Sequence, residues 1–119
     1  MNINEFLGKT FTKIDVSEDE IIFHEGHKEY KMYHSQDCCE YVYLEDVVGK
    51  ITDLIGSPIT MAEEVTNSDD PMGKKNDIED SFTWTFYKLA TIKGYVTLRW
   101  FGSSNGYYSE SVDIEEISE

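Results

Sequence analysis

Residues 81–103 read SFTWTFYKLATIKGYVTLRWFGS, and apolar and polar side chains alternate along them with a period of two. That period belongs to a strand, whose successive side chains point to opposite faces of a sheet. Lys93–Gly94 supplies a tight reversal, so the stretch predicts a β-hairpin. With those two residues as the turn, Ile92 faces Tyr95, Leu89 faces Leu98, Tyr87 faces Trp100 and Phe86 faces Phe101. Apolar meets apolar in this register, which supports it. A chain built on such a hairpin needs a twisted antiparallel sheet as its frame.

The rest of the sequence extends the sheet. Residues 9–16, 20–25 and 28–35 alternate in the same way, with turn signals at 17–20 and at Gly26–His27. They predict an antiparallel meander. Residues 59–66 and 107–117 read as further strands, and Asn105–Gly106 as a turn before the last. Residues 67–81 form a polar Asp-, Gly- and Lys-rich loop. One segment changes period. In EDVVGKITDLIGSP, Val47, Val48, Ile51, Leu54 and Ile55 fall on one helical face, Asp46 can cap, and Gly56 and Pro58 can stop the helix. The fold class expected is therefore α+β: one domain over residues 1–119, a mainly antiparallel twisted sheet with one α-helix packed on a face.

Charge limits the function classes. The chain carries 24 acidic and 10 basic residues, a formal net charge of −14. Such a surface repels phosphates, which argues against a broad nucleic-acid-binding face. It suits either simple solubility or docking on a basic protein surface in imitation of a nucleic acid. No stretch approaches the roughly 20 apolar residues of a membrane span. The N-terminal MNINEFLGKTF lacks the pattern of a signal peptide, so the expected location is a reducing cytoplasm. The adjacent Cys38 and Cys39 are read as free thiols, because a bond between neighbours closes a strained ring.

Two regions hold candidate site residues. The first is MYHSQDCCEYVYLED, residues 32–46. Zinc needs about four ligands, and His34, Cys38 and Cys39 supply too few in good geometry. A cysteine nucleophile needs a base, whereas Asp37 and Glu40 beside it raise a thiol's pKa. This segment reads as a binding rim or a polar structural corner, with His34 and Gln36 as polar contacts. The second is the hairpin, whose expected register sets Lys88 opposite Arg99 among Trp84, Phe86, Tyr95 and Phe101. Like charges opposed are unfavourable unless an anion lies between them or a neighbouring acid neutralises them. With an anion, Lys88 and Arg99 hold a phosphate, Trp84 and Phe101 stack on a base, and Asn105 adds a polar contact at the sheet end.

The stretches GKTFTKI, YKMYHSQDCCE, EDVVGKITDLIGSPI, AEE, TWTFYKLATIKGYVTLRW and GSSNGYYSESV occur in that order along nearly the whole chain. In this the chain resembles a family of small proteins of unknown function encoded largely by bacteriophages and prophages. The resemblance implies a viral origin, an accessory role such as counter-defence, and the cytoplasm of a bacterial host. It transfers no functional residue. The leading expectation is a non-catalytic binding protein without a cofactor or metal that sequesters a small, nucleotide-like ligand. The alternative is an acidic inhibitor of a basic host protein. A third is a thiol-dependent hydrolase using Cys38 or Cys39 with His34. Exposed sheet edges leave self-association open.

Overall fold

A computed structural model describes residues 1–67, 81–106 and 108–117. Eight strands form in chain order: β1 (Lys13–Val16), β2 (Glu20–Glu25), β3 (Lys28–Tyr33), β4 (Tyr41–Val48), β5 (Met61–Asn67), β6 (Ser81–Thr91), β7 (Gly94–Ser104) and β8 (Asp113–Glu116). They make two antiparallel four-stranded sheets, ordered β1-β2-β3-β8 and β4-β7-β6-β5. Single 3-10 turns lie at Ile3–Phe6 and Ile51–Leu54.

Alternation explains which side chains leave water. In β2 Ile21 and Phe23 are buried, in β3 Tyr30 and Met32, and in β7 Val96, Leu98 and Trp100. Both sheets feed one apolar cluster with Phe6, Phe11, Leu54 and Ile59 from the connections. Phe6 sits at its centre, with ring centroids 5.0 Å from Phe11 and 4.9 Å from Phe23 in edge-on contact. Such pairs add about 1 kcal/mol each beyond area burial. Tyr30 enters the same cluster and donates its hydroxyl to Glu25 at 2.9 Å.

The expected helix does not form, so the α+β assignment is corrected: the described residues are all-β apart from two 3-10 turns. Val47 and Val48 extend β4, pairing with Leu98 and Thr97. A bulge between Leu44 and Asp46 admits Glu45 as an extra residue, which returns Val47 to the core-facing side. Gly49 then adopts φ +109°, a value no helix contains, and only Ile51–Leu54 curl into a single turn. The β-branched valines favour the pleated strand, and Leu54 still reaches the core.

The hairpin forms, but its turn sits one residue earlier than expected. Thr91 pairs with Gly94, leaving Ile92–Lys93 as the loop. Thr91 Oγ1 holds this position by donating to the Asp53 carbonyl and accepting the Lys93 N–H at 3.1 Å. Gly94 is the first residue of β7, and a Cβ there would lie 2.8 Å from Asp53 Oδ2. The polar loop expected at 67–81 lies, for residues 68–80, outside the described residues. None of the helices described is long and apolar enough to cross a membrane.

Candidate functional site

The shifted turn rearranges the expected cation pair. Lys88 lies opposite Thr97 and Glu63, and Arg99 opposite Phe86 and Asp46. The Lys88–Arg99 opposition is therefore corrected. Arg99 Nε donates to Glu45 at 2.5 Å, and its Nη2 lies 3.6 Å from Asp46. These carboxylates push the guanidinium further above its already high range. The bulge at Glu45 is what sets two acids beside one arginine.

The aromatic half of the expected site does assemble. Trp84 and Phe101 are cross-strand partners with centroids 4.6 Å apart. The same face continues through Phe82 at 5.7 Å and Tyr43 at 5.8 Å from Phe101, then to Tyr41 at 4.8 Å from Tyr43. Phe86 lies 6.4 Å from Trp84, nearly parallel to it. The Arg99 guanidinium stands 5.7 Å from the Trp84 ring centre. Six rings thus form a continuous layer on the face of β4, β7 and β6 turned away from Leu98 and Trp100. Tyr41 is exposed and the other five are half-buried. Asn105 lies at the Phe82 end, where both line a cavity of about 290 Å³ with Ser103, Ser104 and Cys39.

His34 turns inward to serve Glu40, and the exposed Gln36 reaches the same carboxylate with its amide. The Glu40 side chain is fully buried, and that of His34 is 4% exposed. Glu40 accepts the Asp37 and Cys38 N–H groups at 2.8 Å each, His34 Nε2 at 2.7 Å and Gln36 Nε2 at 3.2 Å. Burial alone would push this carboxyl up, but the N–H donors outweigh it and hold it at about 2. His34 Nδ1 lies 2.6 Å from the Ser111 carbonyl oxygen, so the ring sits between the turn before β4 and the segment before β8. In the same turn Cys38 and Cys39 are bonded to one another, with Cα atoms 3.7 Å apart. The free-thiol expectation is corrected: these residues occupy a bend, where neighbouring side chains converge, rather than the extended strand that would separate them.

Two groups central to this geometry escape sequence reading. Glu40 looks like any acid of an acidic chain, and only the turn gathers its donors. Glu45 becomes the arginine's partner through a bulge with no local sequence mark. By contrast, Phe82, Tyr41 and Tyr43 follow from the same period-two pattern that places Trp84. Among the described residues no group of three or more His, Cys, Asp or Glu is arranged to hold a metal.

Comparison with known proteins adds a family. The model of a domain of unknown function, DUF7448, matches residues 4–114. No curated protein matches the chain, and no solved structure does.

Proposed function

We propose a non-catalytic binding function for this chain, which belongs to the DUF7448 family, a domain of unknown function. Its ligand is a basic protein, and the binding surface is the aromatic layer of the second sheet. The reading rests on one observation: six rings form a continuous layer whose central cation, Arg99, is already countered by Glu45 and Asp46.

That pairing disfavours a phosphate ligand. An anion would have to displace two carboxylates from the arginine, on a chain of net charge −14. A partner rich in Lys and Arg meets acids at the rim and aromatic rings at the centre. Trp, Tyr and Arg are the residues that most often dominate protein interfaces. Charge complementarity of this kind speeds encounter and makes it depend on salt. The resemblance to phage-encoded proteins supplies the context: a viral accessory protein whose partner is a host protein, met in the host cytoplasm.

The test starts from capture on the purified protein, followed by production of the captured partner and calorimetry at two salt concentrations. The expected partner is basic, its affinity falls as salt rises, and Trp84→Ala weakens it by about 30-fold, the effect of a roughly 2 kcal/mol hot spot. Full affinity in the Trp84→Ala, Phe101→Ala pair overturns the proposal. So does a stoichiometric nucleotide adduct in native mass spectrometry that disappears in the Lys88→Ala, Arg99→Ala pair, which would restore ligand sequestration.

A further inference from the structure

We propose that a second site, separate from the aromatic layer, takes a small organic cation bearing an ammonium or guanidinium group. It is a cavity of about 370 Å³ on the core-facing side of β6, walled by Thr83, Thr85 and Tyr87, by Glu64 of β5, and by Ser109–Val112 ahead of β8. This volume lies within the range that holds small ligands.

The charge of its wall decides the ligand class. Glu110 is 8% exposed, and among the described residues its carboxylate takes two hydroxyl donors, Thr83 Oγ1 at 2.7 Å and Ser104 Oγ. Each oxygen therefore has acceptor capacity to spare. Among the described residues neither Glu110 nor Glu64 forms an ion pair. A buried carboxylate without a cation is costly, and a ligand that brings one relieves that cost. Anions are repelled from the same wall, and a neutral polyol would leave the charge uncompensated. Tyr87 adds no charge of its own. Burial pushes its hydroxyl far above the ordinary range, and it donates to the Val112 carbonyl at 3.3 Å.

The wall is built for close approach. A Cβ on Gly102 would lie 2.9 Å from Glu110 Cβ and 3.0 Å from its carbonyl oxygen, so only glycine in β7 lets this segment seat against the sheet. The cavity lies on the opposite face of β6 from Trp84, and so variants separate it from the proposed protein-binding surface.

The test is calorimetric titration of the whole protein with putrescine and agmatine, and with myo-inositol as a neutral control. One amine should bind saturably at one per chain. Glu110→Gln should weaken it at least tenfold, while Asp19→Asn, an equal charge change at an exposed turn, should leave it intact. If Glu110→Gln does not fold by circular dichroism, Glu64→Gln and Thr83→Val carry the same comparison. Binding that falls equally in Asp19→Asn marks diffuse attraction to an acidic chain and overturns the site. Binding of inositol in preference to the amines overturns the ligand class, and silence from all three probes overturns the proposal.

Discussion

Glu40 is a charge in a place where charges are rarely tolerated, and its donors explain why it stays. Two backbone N–H groups, a glutamine amide and an imidazole replace the water it has lost. Its carboxyl sits at about 2 in the folded chain, below the ordinary 4.5. A depressed acid stabilises the fold above the unfolded value and loses that contribution as pH falls through the folded one. The melting temperature of the wild type should therefore drop between about pH 4.5 and pH 2. Glu40→Gln should melt lower than wild type at pH 7, and its deficit should shrink over that acid window, as thermal scans across pH will record. A deficit independent of pH would mean that packing, rather than ionisation, holds the turn.

At the level of elements, Gly49 marks where helix and strand readings part. The spacing of Val47, Ile51 and Leu54 satisfies a helical face, and it equally satisfies a strand that bulges, turns and drops one leucine into the core. Periodicity could not separate the two, because the decisive feature is a backbone contact. At φ +109°, a Cβ on Gly49 would meet the Tyr95 carbonyl oxygen at 2.5 Å. Gly49→Ala should cost roughly 2–4 kcal/mol in chemical denaturation, from strain and overpacking together. A cost near zero, or a gain in helical circular dichroism, would show that the segment has an alternative path. The hairpin was legible for the opposite reason. Moving its turn by one residue shifts each partner by two and changes no face, so alternation alone puts Trp84 and Phe101 on one face. The same degeneracy hid the register. Alternation allows Lys88 to oppose Arg99, whereas the structure sets Glu63 beside Lys88 and Asp46 beside Arg99.

For the whole molecule, an excess of fourteen negative charges works against compactness. Added sodium chloride should raise the melting temperature from low ionic strength to about 0.15 M, where the Debye length falls to about 8 Å. A fall on adding salt would mean that ion pairs such as Arg99–Glu45 outweigh the general repulsion. The sheet order has a further consequence, for the timing of folding. β1, β2 and β3 follow one another closely, but the fourth strand of their sheet is β8, so Met32 must find Ile114. The second sheet, whose longest hairpin is local, can form before that meeting. Closing so long a loop carries an entropic penalty before any contact repays it. During synthesis, β3 therefore waits with one edge bare until residues 113–116 leave the ribosome, and that interval is when this chain is most open to pairing with a stranger.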